Sequence, residues 1–401
     1  MSVAPAAPIR VAHVTTVDST LWYLLRPQLL AVLHEGGEVV GISAPGPWVE
    51  ALERDGVRHV ALTSSTRGWN VGADLRAAFD LWRILRSEHF DVVHTHNPKP
   101  GVYGRVVARL AGVPVVVNTN HGLYIGDGQR VRRAVVLALE GIAARFSDAE
   151  LIQNPEDLAL LVRWRLNSPR RTFLLGNGVA LERFRPAIDA GERARARAEL
   201  GAAPDQVVVG TVGRLVAEKG HLELIEAARA LGDRYLVVVI GPHDPDKPDA
   251  LTTEQVQVGT DAGVRFLGLR DDIDLLYRGM DVFVLPSHRE GFPRAAMEAA
   301  SSGLATVATD IRGCRQVVDD GVTGILVPLR APIALAAAIH ALGEDEARRV
   351  AMGVAAVARA RANFDERRIV ETVLDTYRRA ATRRRWWRHS RRPAGQRRSV
   401  E

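Results

Sequence analysis

The sequence contains one cysteine, Cys314, in 401 residues, so the chain cannot form an internal disulfide. That scarcity fits a reducing compartment such as the cytosol. Residues 1–8 include neither a basic region nor an apolar run, which predicts that no secretory signal is present. No stretch of about eighteen apolar residues occurs, so we predict no membrane-spanning helix. Together these absences favour a cytoplasmic protein.

Hydrophobic residues make up 47% of the chain and charged residues 25%, the balance of a soluble globular protein. Lys and Arg exceed Asp and Glu by 53 − 47 = 6, and arginines accumulate in residues 383–401, beside Trp386 and Trp387. Arginine is attracted to anionic lipid and tryptophan prefers the interface, so this tail is a candidate contact with an anionic membrane surface. The alternative is a disordered tail that binds polyanions loosely. No recognition module accompanies the charges, so nucleic acid is not an expected partner.

Short apolar runs alternate with amphipathic helical stretches, which is typical of parallel α/β architecture. Seven strand candidates precede residue 176, and a second series of six begins with residues 207–212 and includes residues 264–266 and 282–285. The sequence therefore predicts two Rossmann-like doubly wound domains, residues 1–185 and 204–365, joined by a linker at residues 186–203. Residues 366–382 are predicted to form a helix that braces the domains. Ligands of such sheets bind at the carboxyl ends of the strands, which places a site in the cleft between the domains.

The most informative segment follows the strand candidate at residues 282–285, where a glycine-containing loop leads to a helix with Pro293 near its start. The amides of a first helical turn lack internal partners and lie at the positive end of the helix dipole, so they can hold a phosphate. Glu290 and Glu298 could accept hydrogen bonds from the hydroxyls of a sugar and a ribose. An equally weighted alternative is that Glu290 favours the helix start and Glu298 is a solvated helical residue.

A second loop, Gly210 to Gly220, begins on the first strand of the second series. It matches neither the dinucleotide-binding glycine pattern nor the P-loop. It does offer a guanidinium at Arg214 and an ammonium at Lys219, which could converge on a diphosphate. The more common alternative for any single pair of this kind is two exposed loop cations.

His94 and His96 place two imidazoles two residues apart, which suggests a metal pair. The sequence shows no third and fourth ligand at a plausible spacing. The favoured interpretation is therefore a strand end that lines the cleft.

The two loops together resemble the retaining glycosyltransferases of family four, whose second domain carries a G-R-x-x-x-x-K-G loop and an E-x7-E motif. The sequence has Gly213-Arg214 with Lys219-Gly220, and Glu290 with Glu298. The resemblance extends to further stretches in the same order: Asp91 to His96, Asn120-His121-Gly122, Phe266-Leu267-Gly268 and Asp320 to Val327. It implies the GT-B fold, with residues 1–185 as the acceptor domain and residues 204–365 as the nucleotide-sugar donor domain.

The resemblance also assigns roles to individual residues. It implies that Arg214 and Lys219 neutralise the donor diphosphate. Hydroxyls of the transferred sugar would be held by Glu290, and the ribose diol by Glu298. The remaining implied positions are the amides around Gly291, Phe292 and Pro293 at the sugar and phosphate, the backbone around Leu267 and Gly268 at the base edge, and His121 at the sugar ring.

The chemistry explains why such residue types are needed. Loss of a nucleoside diphosphate builds negative charge on the leaving oxygen, and fixed cations and helix amides stabilise that charge without reorganising. The resemblance implies a front-face retaining route, in which the departing phosphate takes the proton of the acceptor. It also implies that no metal and no further cofactor is needed beside the nucleotide-sugar co-substrate.

Within this family the first loop of the chain, Thr15 to Trp22, resembles a bacterial subgroup that builds surface polysaccharides and lipid-linked glycans. That similarity implies a UDP-sugar donor, a lipid-linked or growing polysaccharide acceptor, and a place on the inner face of the cell membrane. The alternatives are a GT-B sugar-nucleotide epimerase, a glycosyltransferase of a soluble small molecule, and a non-enzymatic nucleotide-sugar-binding scaffold. The scaffold would predict damage to the motifs, but Arg214, Lys219, Glu290 and Glu298 are all intact.

The first loop of the first domain departs from the family pattern. Many members carry a glycine pair there, whereas this chain has Asp18-Ser19. The Asp18 carboxylate could act near the acceptor, but an Asp-Ser pair before a helix is more often a helix N-cap, and we favour the cap.

Overall fold

A computed structural model describes residues 9–68, 70–123, 130–245 and 247–390. The chain divides into two compact units, one formed by Met1–Leu175 with Arg368–Glu401 and the other by Gly176–Arg367. Each unit is built on a parallel sheet with helices, which confirms the predicted fold class. The division lies about ten residues before the predicted boundary at 185/186, and residues 186–203, predicted as a hinge with a surface helix, lie within the second unit and contain a helix.

The first unit contains a seven-stranded sheet in the order β3-β2-β1-β4-β5-β6-β7. Its strands are β1 (Arg10–Val17), β2 (Glu38–Ala44), β3 (Arg58–Ala61), β4 (Val92–His96), β5 (Val115–Asn120), β6 (Ala149–Ile152) and β7 (Thr172–Leu174). Its helices up to that point are α1 (Asp18–Thr20), α2 (Arg26–His34), α3 (Val49–Arg54), α4 (Val71–Glu88), α5 (Lys99–Leu110), α6 (Arg130–Ala143) and α7 (Pro155–Arg163), with a π-helical turn at Leu21–Leu25 and a 3-10 turn at Ala144–Phe146.

The second unit contains a six-stranded sheet in the order β10-β9-β8-β11-β12-β13. Its strands are β8 (Val207–Val212), β9 (Tyr235–Ile240), β10 (Val264–Phe266), β11 (Val282–Leu285), β12 (Ala305–Thr309) and β13 (Gly324–Val327). Its helices are α8 (Ala190–Leu200), α9 (His221–Leu231), α10 (Thr253–Asp261), α11 (Ile273–Gly279), α12 (Arg294–Ser301), α13 (Arg312–Val317), α14 (Pro332–Glu344) and α15 (Glu346–Asn363), with a 3-10 turn at Ala217–Lys219.

The central strands of both sheets are similar in composition and burial. Their central strands are short runs rich in valine that are buried on both faces, which is the pattern of parallel strands covered by helices on either side. Three strands of the second unit, β8, β10 and β11, have the predicted bounds. A helix lies between each pair of successive strands, because parallel strands need a crossover connection.

The last helix, α16 (Glu366–Ser390), belongs mostly to the first unit. Its apolar residues Ile369, Val373, Tyr377 and Ala380 pack in one core cluster with β1, α2 and β5. Its first residues lie in the second unit, where the isolated bridge between Val179 and Asp365 precedes it. None of the helices that the structure describes is long and apolar enough to cross a membrane.

Candidate functional site

The site in the second unit lies where the strand order reverses. Strand β8 pairs with β9 on one side and with β11 on the other. The connections that leave β8 and β11 therefore diverge and leave a crevice at the carboxyl ends of these strands, where doubly wound sheets bind ligands. The two motif-bearing loops are the segments that follow β8 and β11.

The loop after β8 is held against the loop after β11 by a close backbone contact. Gly220 has a φ of 73°, and a Cβ built there would lie 2.0 Å from the carbonyl oxygen of Pro286. Only glycine fits this conformation and this approach. The amide of His288 donates to the carbonyl of Glu218 at 2.8 Å and fixes the same contact. Lys219 is thereby placed beside the residues that follow β11.

Lys219 and Glu290 form an ion pair at the bottom of this crevice. The Lys219 ammonium donates to Glu290 Oε1 at 2.6 Å, and the Ser287 hydroxyl donates to the same oxygen at 2.8 Å. The side chains are 21% and 11% exposed, so a ligand can still reach them. Burial works to lower the pKa of Lys219, but the charge and hydrogen bond of Glu290 outweigh it and raise that pKa. Lys219 is therefore a permanent cation.

Glu290 is supported by two residues outside the predicted motifs, Thr309 and Gly313. The Thr309 hydroxyl donates to the carbonyl of Ser287 at 2.5 Å and fixes the turn that carries Glu290. A Cβ at Gly313, at the start of α13, would lie 2.5 Å from the carbonyl oxygen of Glu290. The segment around Glu290 is thus held by packing rather than left as a loose loop.

Arg214 lies on the same loop as Lys219 and is paired with Asp244. Its guanidinium donates to Asp244 Oδ2 at 2.8 Å, and its side chain is 38% exposed. The Arg214 carbonyl is contacted by Nε2 of His221 at 2.9 Å, and burial lowers the pKa of His221 to about 4. A neutral His221 can donate to that carbonyl and fix the loop. Asp244 could not have been linked to Arg214 from the sequence, because thirty residues separate them.

Glu298 lies inside α12 and is bound by a buried tyrosine. The Tyr277 hydroxyl lies 3.1 Å from Glu298 Oε2 and 3.1 Å from the carbonyl of Ala295. Burial and the charge of Glu298 raise the pKa of Tyr277 well above its usual value. Arg294 lies one turn earlier, with Nε 3.7 Å from Glu298 Oε1. Glu298 is therefore an oriented carboxylate, not the freely solvated residue of the alternative interpretation.

Gly291, Phe292 and Pro293 connect Glu290 to α12, which begins at Arg294 with Pro293 as its N-cap. No side chain caps this helix start among the residues that the structure describes, so its first-turn amides stay available for an anion. Asn177 donates from Nδ2 to the carbonyl of Phe292 at 3.0 Å and holds the connection. Leu267 and Gly268 follow β10, and the Gly268 carbonyl accepts from the amide of Gly241 at 2.8 Å. Their predicted role at a base edge stays a prediction.

His121 belongs to the first unit, where it follows β5. Its Nε2 lies 3.0 Å from Nδ1 of His96, and its amide donates to Oδ1 of Asn97 at 2.8 Å. Burial lowers its pKa to about 4, although the Gln153 side chain acts to raise it. His121 is therefore neutral near pH 7. Its predicted place beside a sugar ring stays a prediction.

A third histidine, which is not predicted from the sequence, lies beside His94 and His96. His13 on β1 is buried with them, and one nitrogen of each of the three rings lies within 4.8 Å of the others, close enough to consider a metal ion. The spacing along the chain gave no hint, since His13 comes from another strand. The predicted role of His94 and His96 as lining of an open cleft is wrong for their side chains, which are buried.

Asp18 is not the N-cap that we predicted. It is the first residue of α1, the cap position is Val17, and the Asp18 carboxylate accepts from the amides of Ser19 and Trp48, both at 2.8 Å. The side chain is buried and ties the first loop to the loop after β2. Of the basic tail at residues 383–401, residues 391–401 and the side chains of Trp386 and Trp387 lie outside what the structure describes.

Comparison with known proteins agrees with this geometry. Residues 10–178 match the family described as glycosyl transferase 4-like domain, and residues 192–359 match glycosyl transferases group 1. The UDP-Gal:alpha-D-GlcNAc-diphosphoundecaprenol alpha-1,3-galactosyltransferase of Escherichia coli is 33% identical over 290 residues, 71% of this chain and 74% of that protein. The D-inositol 3-phosphate glycosyltransferase of Geodermatophilus obscurus is 35% identical over 330 residues, 74% of this chain and 70% of that protein.

Among solved structures, the Anabaena protein HepE in complex with UDP-glucose superimposes with a TM-score of 0.77 at 20% sequence identity. The match covers 92% of this chain and 99% of HepE, and it shows the shared fold. Motifs, strand order and relatives agree with one another. The chain is a glycosyltransferase and belongs to family four, with the GT-B fold.

Proposed function

We propose that the protein transfers a sugar, with retention of anomeric configuration, from a nucleotide-diphosphate donor held in the second unit. The observation that carries this proposal is the ion pair of Lys219 and Glu290 at the strand switch point, next to the uncapped start of α12. It puts a fixed cation and helix amides beside a carboxylate that can bind hydroxyls. A donor with a diphosphate joined to a sugar needs that combination.

Arg214 and Lys219 stabilise the leaving diphosphate in this scheme. When the glycosidic bond to phosphate breaks, charge grows on the departing oxygen, and two cations fixed before the reaction stabilise it without reorganising. Both are already paired with carboxylates, Asp244 and Glu290, which hold them in place until the donor binds. Because these cations and the α12 amides supply positive charge, we propose that neither a metal nor a further cofactor takes part.

Glu290 and Glu298 divide recognition of the donor. Glu290 uses one oxygen for Lys219 and Ser287 and keeps Oε2 for a hydroxyl of the transferred sugar. Glu298, oriented by Tyr277, accepts from the ribose diol. We propose the front-face route for the transfer, in which the departing phosphate oxygen takes the proton of the acceptor hydroxyl.

The donor is proposed to be a UDP-sugar and the acceptor a lipid-linked or growing polysaccharide. Two observations support this. The Escherichia coli relative is named for UDP-Gal and an undecaprenol-linked acceptor, and the similar HepE structure holds UDP-glucose. The Geodermatophilus relative is named for D-inositol 3-phosphate and favours a soluble acceptor as the second candidate.

A donor screen tests this proposal. The full chain is mixed with UDP-, GDP- and ADP-sugars, and both thermal shift and nucleoside diphosphate release are measured with extracted lipid-linked acceptors and with inositol phosphate. We expect a UDP-sugar to raise the melting temperature, since a ligand that binds only the folded state stabilises it, and to release UDP with the lipid-linked acceptor. If no nucleotide sugar stabilises the protein, the proposed donor site is wrong.

We also propose that the protein is cytoplasmic and lies on the inner face of the cell membrane, and α4 offers a surface for this contact. Its exposed apolar side chains, spaced so that they share one face, are Val71, Leu75, Phe79 and Trp82. Its exposed charged side chains are all arginines: Arg76, Arg83 and Arg86. Its three acids are engaged elsewhere: Asp74 with Lys99, Asp80 with Ser64 and Glu88 with Arg58. An apolar stripe flanked by cations suits an anionic lipid surface.

Vesicle flotation separates α4 from the basic tail as membrane contacts. We expect the variant Leu75→Ser/Phe79→Ser to lose most of its binding to anionic vesicles. Deletion of residues 383–401 should weaken vesicle binding further, because it removes arginines that each contribute about 1 kcal/mol near the surface. Ile333→Ser, at an exposed apolar position of the second unit, is the matched control. Equal flotation of the α4 variant and the intact protein would show that α4 is not a membrane contact.

A further inference from the structure

The buried histidines of the first unit are brought together by strand register. His13 on β1 lies opposite His94 on β4, and His96 on β4 lies opposite Thr119 on β5. Residues two apart on a strand share a face, so His94 and His96 point to the same side. Tyr377 of α16 packs on this side, with its ring edge-on to those of His13 and His94.

These side chains form one unbranched chain of hydrogen bonds. Oγ1 of Thr119 lies 2.7 Å from Nε2 of His94, whose Nδ1 lies 2.6 Å from the Tyr377 hydroxyl. The same hydroxyl lies 3.2 Å from Nε2 of His13. The last two links join Nδ1 of His13 to Nε2 of His96 at 3.1 Å, and Nδ1 of His96 to Nε2 of His121 at 3.0 Å.

All four imidazoles in this chain are neutral near pH 7. Burial lowers the pKa of His13 to about 3 and places those of His94 and His96 well below the usual value. A neutral imidazole has one N–H and one lone pair, so each ring in the middle of the chain donates at one end and accepts at the other. Once the direction of one link is fixed, the direction of the other link at the same ring follows. The Tyr377 hydroxyl could accept from two rings, but His94 and His13 are its only partners among the described residues, so it donates to whichever of them does not donate to it.

Thr119 sets that direction. Its hydroxyl has no partner except His94 among the residues that the structure describes. If Thr119 only accepted, its buried O–H would lack an acceptor, which costs stability. Thr119 therefore donates to His94, which carries its proton on Nδ1 and donates to Tyr377. Tyr377 in turn donates to Nε2 of His13. Nδ1 of His13 then donates to Nε2 of His96, and Nδ1 of His96 donates to Nε2 of His121.

We propose that this chain, running from Thr119 through Tyr377 to His96, fixes His121 in the tautomer with its proton on Nδ1, so that His121 presents a hydrogen-bond donor to the substrate. His121 Nδ1 is buried and makes no hydrogen bond to any described residue. The Gln153 side chain, which acts to raise the pKa of His121, is close enough to interact with the same ring. A ligand oxygen would be the acceptor of the Nδ1–H. His96, His13 and Tyr377 are positioning residues in this arrangement. The role of His121 Nδ1–H as a hydrogen-bond donor to substrate rests on the proposed function, whereas the tautomer of His121 does not.

His13, His94 and His96 could be considered as a metal site, but their hydrogen bonds favour the hydrogen-bonded chain over a metal ion. Both ring nitrogens of His94 face hydroxyl groups, those of Tyr377 and Thr119. A metal ion at His94 would have to displace one of them. Both nitrogens of His13 and His96 are likewise directed at neighbours in the chain. Each ring nitrogen of His13, His94 and His96 therefore already has a partner among the described residues.

Nitrogen NMR of the full chain labelled with 15N-histidine tests the tautomer directly, because long-range proton–nitrogen correlations separate the two tautomers. The His121 signals are assigned by their loss in His121→Ala. We expect the Nδ1–H form in the intact protein and a mixture of both forms in Tyr377→Phe, which keeps the ring but breaks the chain. Thr119→Val, of similar shape, removes the first donor and gives the same mixture. The Nε2–H form in the intact protein, or a His121 tautomer that neither variant changes, overturns the proposal.

Two further measurements complete the test. Zn²⁺ added to the labelled protein is expected to leave the signals of His13, His94 and His96 unchanged, and their loss or shift would make the cluster a metal site instead.

With the UDP-sugar found in the donor screen, Tyr377→Phe should lower kcat/KM about fivefold, with no further loss when it is added to His121→Ala. The matched control Tyr103→Phe removes another largely buried hydroxyl of this unit and should leave kcat/KM unchanged. If the losses of kcat/KM add in the double variant, Tyr377 does not act through His121, and the proposed chain of hydrogen bonds is contradicted even if the tautomer is as expected.

Discussion

The two units share one order for six strands, to which the first unit adds β7, but they place different polar groups at the ends of their central strands. In the second unit these are charged and partly exposed, as with Lys219 and Glu290. In the first unit the corresponding strands carry neutral, buried imidazoles such as His94 and His96. A diphosphate needs fixed charge, while the uncharged part of a substrate needs oriented neutral donors. The same architecture therefore serves two kinds of recognition, and the side chains at the strand ends decide which.

Charge is also used for folding in the first unit, where Arg105 is fully buried between Glu140 and Glu150. We expect Arg105→Ala to lower the free energy of unfolding of that unit by about 3–5 kcal/mol, because it leaves two buried carboxylates without a cation. Thermal and chemical unfolding measure this loss, and the Kd of UDP should stay unchanged. Arg58→Ala removes an exposed partner of Glu88 and should cost less than about 1 kcal/mol. Similar losses for the two variants would mean that burial of Arg105 does not matter.

Lys219→Ala should lower activity rather than stability, unlike Arg105→Ala. We expect kcat/KM to fall by about 100- to 1000-fold, because the charge on the leaving diphosphate is no longer compensated, with only a small change in melting temperature. Steady-state kinetics with the identified UDP-sugar measure the effect. Arg348→Ala, an exposed cation of the same unit, is the control. An unchanged kcat/KM would remove Lys219 from the site and weaken the contrast between the units.

Glu298→Gln should have the smallest effect of the three. The amide keeps the shape and one acceptor but loses the charge that strengthens a hydrogen bond to the ribose, so we expect the Kd of UDP to rise about fivefold to tenfold. Isothermal titration with UDP measures it, and Glu226→Gln on the exposed face of α9 serves as control. If both variants bind UDP like the intact protein, Glu298 does not contact the nucleotide.

The fold of both units could be predicted because apolar runs and turn residues are local signals. Strand β8, for example, is a buried run from Val207 to Val212 between polar segments, and its bounds were predicted to the residue. The motif residues Lys219 and Glu290 could be proposed as neighbours only through the family resemblance, since 71 residues separate them.

What escaped prediction depends on tertiary contacts. Asp18 looked like a helix cap because its sequence neighbours fit that pattern, but the amide of Trp48, 30 residues away, shares its carboxylate. The link between His13 and Tyr377 joins residues 364 positions apart. No periodicity or motif in a single sequence encodes such pairs, because each is decided by which strands and helices become neighbours.

The position of Tyr377 has a consequence for how the protein is made. The core of the first unit is completed by Ile369, Val373, Tyr377 and Ala380, which leave the ribosome only after the whole second unit. Domains generally fold as they emerge, amino end first. Here the first unit must wait, with part of its apolar surface uncovered, until the whole second unit has been synthesised. The order of synthesis therefore favours completion of the second unit before the first.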